Sequence, residues 1–160
     1  MPNVTISRTF NAPLARVFEV FTDIEHAAGR IPAITKIEPL TPGPFKVGYR
    51  WRETRLMMKR EATETMTIAA FEPNKRYMAT ADSCGCHYES EFKFTAEAAG
   101  RTRVDVTFTG TPVSLMARIM SPMFLFMRGM IRTCLEKDVE ALGTFLEGEA
   151  GSAGAPVAAG

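Results

Sequence analysis

Glu53 and Arg55 stand two residues apart in a stretch that alternates apolar with polar. An extended backbone sends both side chains to one face, the face that also carries Trp51. That face has to be partly buried, so the two opposite charges must pair or sit at an opening. Asp138 belongs with them. At about 100° per residue from Met123, it falls in the apolar arc of the last helical segment, with Met127, Cys134 and Ala141. A carboxylate there has a raised pKa if desolvated, or a lowered one beside Arg55. Its chemistry is to anchor a ligand hydroxyl or keto group, or to act as a general acid/base; the alternative is a structural ion pair. Glu64, in phase with Met66 and Ile68, is a further inward carboxylate.

Other reactive side chains are poorly supported. Ser90 faces inward, but no histidine lies in phase to activate it. His87 is out of phase with Tyr88, and His26 sits apart in a short helical segment, so neither builds a triad. Cys84-Gly85-Cys86-His87 invites a zinc reading, yet a tetrahedral site needs more ligands and only Cys134 and His26 remain. No metal and no cofactor are expected.

These residues need elements to hold them. Val4, Ile6, Arg8 and Phe10 open a strand, and Asn11-Ala12-Pro13 starts a helix carrying Leu14, Val17, Phe18 and Phe21 on one face. Asp23 caps a second short helix that ends before Pro32. From Ile34 the period changes to two, with strands predicted at 35–41, 49–59, 62–71, 76–81, 86–95 and 102–110. The last segment, Val113 to Glu147, is a long amphipathic helix, with a break at Ser121-Pro122. Met116, Met120, Met123, Met127 and Met130 recur along it at spacings of four, three, four and three, as an adaptable apolar wall. Residues 1–147 read as a single domain, and the Gly/Ala-rich tail 148–160 as disordered.

Bulk properties narrow the function. The chain of 160 residues is 46% hydrophobic and 23% charged, with a formal net charge of +1. No basic stripe suits nucleic acid. The longest apolar run, about Ile119 to Met127, is too short to cross a bilayer as a helix. Three cysteines make no even disulfide framework, and a reducing cytoplasm is the expected setting.

Four phrases occur in order: Phe10-Asn11-Ala12-Pro13 with Val17-Phe18 and Asp23; Thr41-Pro42-Gly43-Pro44 with Val47-Gly48-Tyr49-Arg50-Trp51; Phe71-Glu72-Pro73-Asn74-Lys75-Arg76; and Asp138-Val139 with Leu142. In this arrangement the chain, from about Val4 to Glu147, resembles the START-like (SRPBCC) superfamily in its polyketide cyclase/dehydrase and lipid-transport branch. The resemblance implies an α+β helix-grip fold, like that of the birch-pollen allergens. A curved antiparallel sheet would wrap a long C-terminal helix in the order β-α-α-β6-α, leaving an apolar cavity between them. It also implies a hydrophobic small-molecule partner. The matching phrases are fold motifs, so the chemistry has to come from the pocket.

Alternation then assigns the lining: Trp51, Glu53, Arg55, Glu64, Met66, Tyr88, Ser90, Phe92, Val106 and Phe108 from the sheet, and Met123, Met127, Met130 and Asp138 from the helix. Three functions fit this lining. Binding or carriage of a lipid-like or aromatic molecule leads, by a monomer or weak homodimer. A cyclase/dehydratase-type enzyme using the same cavity is the alternative. A protein-interaction or membrane-contact module using the methionine-rich helix is the third.

Overall fold

The computed structural model describes residues 3–57 and 59–154. Strand β1 (Asn3–Phe10) is followed by helix α1 (Leu14–Thr22), a 3₁₀ turn (Ile24–His26) and a short helix α2 (Ala27–Arg30). Six strands come next: β2 (Ile34–Pro39), β3 (Arg50–Met57), β4 (Arg60–Glu72), β5 (Arg76–Ser83), β6 (Cys86–Glu97) and β7 (Arg101–Pro112). Helices α3 (Leu115–Ile119) and α4 (Ser121–Gly154) end the described chain. All seven strands form one antiparallel sheet in the order β1-β7-β6-β5-β4-β3-β2. This is the helix-grip fold, with α4 lying along the concave face.

Tight turns produce this meander. Between β5 and β6 the two-residue loop Cys84-Gly85 has positive φ at both positions (52° and 75°), the primed turn that matches the twist of the flanking strands. Its register pairs Ser83 with Cys86. A Cβ on Gly85 would also run into Ser114 Oγ, so the glycine lets this turn press against the start of α3. Ser114 caps α3 by accepting a hydrogen bond from the Ala117 N–H at 3.1 Å.

The core lies between the concave face and the helices. Val4, Ile6 and Phe10 of β1, Val104 and Val106 of β7, and Val17, Phe18, Val20 and Phe21 of α1 are buried together. Phe18 and Phe21 meet Phe94 edge-on at centroid distances of 5.0 and 5.4 Å, which fixes α1 against the sheet. From α4 the core receives Ile131, Leu135, Val139, Leu142 and Leu146, spaced four, four, three and four apart.

That stripe corrects the expected one. Among the methionines, Met116, Met120 and Met123 are exposed, while Met127 and Met130 are half-buried. Periodicity identifies a face of a helix but not which length of it meets the sheet. The break at Ser121 lets α3 and the start of α4 project past the concave surface, and only the later turns are gripped. The helix itself is described as far as Gly154, beyond the expected end at Glu147, because an established helix gains a hydrogen bond with each added residue. The rest of the Gly/Ala-rich tail, 155–160, lies outside the described residues.

One glycine sets how closely α4 sits. A Cβ on Gly143 would fall 2.8 Å from Phe10 Cε1 and 3.1 Å from an Arg8 guanidinium nitrogen. Gly143→Ala is expected to destabilise the fold by about 1–2 kcal/mol. Overpacking against a buried ring outweighs the roughly 1 kcal/mol that alanine gains in a helix. A urea melt checks this; an unchanged or higher midpoint would mean that α4 is not seated so tightly.

Candidate functional site

Two concavities meet at the gripped part of α4. The inner one, about 140 Å³, lies between α1, α2, the sheet and α4. Its walls are mainly apolar: Phe21, Ile24, Ile31, Trp51, Met66, Tyr77, Phe92, Leu135 and Val139 among them. The outer one, a groove of about 480 Å³, runs between the end of β3 and α4 and is bordered by Leu56, Met57, Gly129, Met130, Thr133, Cys134 and Lys137. Arg55 and Asp138 line both. They stand where the groove meets the chamber.

Strand β3 places Trp51, Glu53 and Arg55 on the concave face, and α4 brings Asp138 down onto them. Arg55 donates from one terminal nitrogen to Asp138 Oδ2 at 2.7 Å, and from its other terminal nitrogen to Glu53 Oε1 at 3.0 Å. Its Nε donates to the same Glu53 oxygen at 3.1 Å. Trp51 Nε1 donates to Glu53 Oε2 at 3.2 Å and holds that carboxylate in place. One guanidinium therefore serves two carboxylates, and the cluster carries one surplus negative charge when both are ionised.

The electrostatics follow from that count. Burial pushes the Asp138 carboxyl above its usual range; Arg55 opposes this without cancelling it, and the Glu53 charge adds to the rise. Burial also works against the Arg55 cation, but Asp138 and Glu53 outweigh it and hold its pKa above the ordinary arginine value. The guanidinium stays charged, and the nearby carboxyl takes up a proton more readily than an ordinary aspartate. Such a pair can accept a proton from a ligand hydroxyl, donate one, or stabilise negative charge on an oxygen.

Two further polar groups line the inner chamber: Ser90 from β6, and Tyr77, whose hydroxyl donates to the Phe21 carbonyl at 3.4 Å. Burial, then the charge of Glu53, pushes the Tyr77 phenol well above its usual pKa, so it remains neutral. At one end of the site Arg30 clasps α2 to α4. It lies 4.1 Å from the Phe145 ring centroid and pairs with Asp23 at 2.9 Å.

Of the residues expected to line a site, Trp51, Glu53, Arg55, Met66, Ser90, Phe92 and Asp138 surround the inner chamber, and Met130 borders the groove. The others lie elsewhere. Val106 is fully buried in the core, while Tyr88 and Phe108 stack on each other at 5.6 Å, outside both concavities. Glu64 lines neither concavity, because the inner chamber begins one inward position further along β4, at Met66. Met123 is exposed and Met127 half-buried outside both, for the reason given by the break at Ser121. Sequence reasoning missed the α1–α2 wall (Val20, Phe21, Ile24, Ala27, Ile31), together with Tyr77 and Ala79 of β5. The alternation of Tyr77, Ala79 and Ala81 was a usable signal for β5. The helical wall depends on packing that no period reveals.

The cysteine-histidine phrase is dispersed. Cys86 is buried, Cys84 is exposed on the turn, and His87 Nδ1 lies 2.7 Å from Asp82.

Solved structures share this architecture at low sequence identity. The Zhui aromatase/cyclase from Streptomyces sp. R1128 superposes with a TM-score of 0.77 at 19% identity, over 95% of this chain and 97% of that one. The di-domain aromatase/cyclase StfQ of the steffimycin biosynthetic pathway gives 0.78 at 12% identity, over 94% of this chain and 52% of the longer partner. A START superfamily protein from Mycobacterium smegmatis gives 0.65 at 14%, over 92% and 95%. At these identities the likeness is one of fold. No curated protein matches the sequence. The match that reaches beyond fold is to the family described as polyketide cyclase / dehydrase and lipid transport: it spans residues 1–147, and the chain belongs to that family.

Proposed function

We propose that the protein binds a neutral hydrophobic small molecule, with an apolar group in the inner chamber and a hydroxyl or keto oxygen at Arg55 and Asp138. The observation that carries this reading is an apolar chamber whose polar groups gather where it meets the outer groove. A chamber of about 140 Å³ is close to the apolar cavity of roughly 150 Å³ known to admit benzene, so it takes about one ring and leaves the hydroxyl-bearing ring of a two-ring guest such as a naphthol at the Arg55–Asp138 mouth. A larger guest extends past the ion pair into the groove, since pockets for drug-sized ligands usually need about 300 Å³ or more. With both acids ionised, the surplus negative charge argues against a carboxylate guest; a hydroxyl can donate to Asp138, and a keto oxygen can accept from Arg55. The free thiols of Cys84, Cys86 and Cys134 fit a reducing, cytoplasmic setting.

Calorimetry with 2-naphthol and 2-naphthoate tests this reading. Binding of the naphthol at least tenfold tighter than the naphthoate is expected; equal or tighter binding of the naphthoate would overturn the charge argument. Native mass spectrometry of gently purified protein would then identify any aromatic or lipid-like compound that it retains.

A second reading rests on Asp138 itself. A desolvated carboxyl beside a fixed guanidinium is equipped to shuttle a proton on a bound guest while Arg55 holds the oxygen that gains charge. That supports a cyclase/dehydratase-type activity in the same chamber. Carriage and catalysis part at one substitution. A carrier returns its guest unchanged with or without Asp138→Asn, whereas an enzyme converts it and Asp138→Asn preserves binding while removing turnover.

A further inference from the structure

The projecting segment from α3 into the first turns of α4 presents an apolar surface that no other described residue covers. Leu115, Met116, Ile119, Met123, Leu125 and Phe126 are exposed, Leu115 by 75% and Phe126 by 89%. Apolar residues gathered in this way on a protein surface mark a contact site.

The charges on the projecting segment itself are of one sign. From Val106 to Leu135 the chain carries Arg118, Arg128 and Arg132 and no Asp or Glu. Arg132 is paired with Glu136 at 3.1 Å. Arg118 and Arg128 have no acidic partner among the described residues; Arg128 donates to the Asn3 carbonyl at 3.2 Å. Lys59, in the turn between β3 and β4, and Arg60, the first residue of β4, also lack acidic partners among the described residues, with the exposed Glu61 next to them. The end of β3 next to that turn, Leu56 and Met57, shares the outer groove with Gly129 and Met130 of α4. Two acids near the α3 end of the patch, Asp82 and Glu89, share His87, at 2.7 and 3.6 Å.

We propose that this surface docks on an anionic lipid bilayer, its apolar side chains entering the headgroup boundary and its arginines meeting lipid phosphates. Apolar residues flanked by cations are what interfacial attachment requires. No described helix is long and apolar enough to cross a membrane. A second copy of the chain is a poorer occupant. A two-fold interface centred on this patch would set its own arginines against each other, with no acid between Val106 and Leu135 to separate them. Docking would also bring the outer groove, which continues along α4, to the lipid surface. Passage of a guest by that route rests on the cavity reading; docking itself does not.

Co-sedimentation of the full chain with vesicles tests the proposal, comparing pure phosphatidylcholine with three parts phosphatidylcholine to one part phosphatidylglycerol. Binding to the anionic vesicles is expected, weakened about fivefold by either Arg118→Gln or Arg128→Gln, with the arginine effects fading as salt is raised. Phe126→Ser is expected to weaken it roughly tenfold or more, with an unchanged melting curve and unchanged 2-naphthol affinity in the absence of vesicles. Three results would overturn docking. One is no sedimentation with either vesicle. Another is equal binding to both with no effect of the arginines. The last is a dimer by light scattering that Phe126→Ser dissolves, with no vesicle binding. Because naphthol binding is read separately, failure of docking and failure of the cavity reading give different patterns.

Discussion

Replacing Arg55 with methionine is expected to destabilise the protein by about 3–5 kcal/mol, while replacing Asp138 with asparagine changes stability by about 1 kcal/mol or less. The asymmetry comes from counting charges. Arg55 is the cation bonded to both Glu53 and Asp138, and removing it strands two part-buried carboxylates. Removing the charge of Asp138 leaves a balanced Arg55–Glu53 pair still braced by Trp51. The acid limb of the stability curve carries the same signature. The folded state holds Asp138 above its ordinary pKa, so its favourable contribution is complete below the normal carboxylate range and is lost as pH rises through the folded value. Asp138→Asn removes that dependence, and Arg55→Met enlarges it because Asp138 then loses the cation that opposes its rise. Equilibrium denaturation of the three proteins from acid to neutral pH checks the ordering. Equal losses for Arg55→Met and Asp138→Asn would show that the two carboxylates do not depend on a shared cation.

The other large effect is on binding. Ala79 lines the inner chamber from β5. Leaving about 140 Å³ unfilled costs roughly 3 kcal/mol at about 24 cal/mol per Å³. Ala79→Leu places apolar atoms in that space and is expected to stabilise the fold by about 1–2 kcal/mol after some strain. The same substitution occupies the ring position and is expected to lower affinity for 2-naphthol by about a hundredfold or more. Gain of stability with loss of binding is the trade expected where an unfilled volume is kept for function. A destabilised variant that still binds would place the guest elsewhere.

The fold was legible because its signals are local and agree with one another. Alternation in β6, with Cys86, Tyr88, Ser90, Phe92 and Phe94 on one face, needs no tertiary information, and the turn residues bounded each strand. The ion-pair cluster was legible for the same reason: Glu53 and Arg55 share a strand face, and the helical angle of Asp138 brought it into the same interior. The methionine stripe misled because amphipathicity is a property of a helix, whereas burial is a property of its docking. Nothing in the spacing of Met116 to Met130 distinguishes it from Ile131, Leu135, Val139 and Leu142, yet only the second set reaches the sheet. The wall from α1 and α2 was invisible for a related reason. Ile24 and Ile31 lie on either side of the short helix α2, which Arg30 ties to Phe145 of α4 and to Asp23.

On the proposed reading, the chamber between the sheet and the later turns of α4 admits a guest. An amide-resolved NMR titration with 2-naphthol tests it most directly. Saturable shifts centred on Ala79, Ser90, Leu135 and Val139 are expected, with smaller ones at Arg55 and Asp138. Shifts confined to α3 and the first turns of α4, or no saturation at any of these sites, would contradict it.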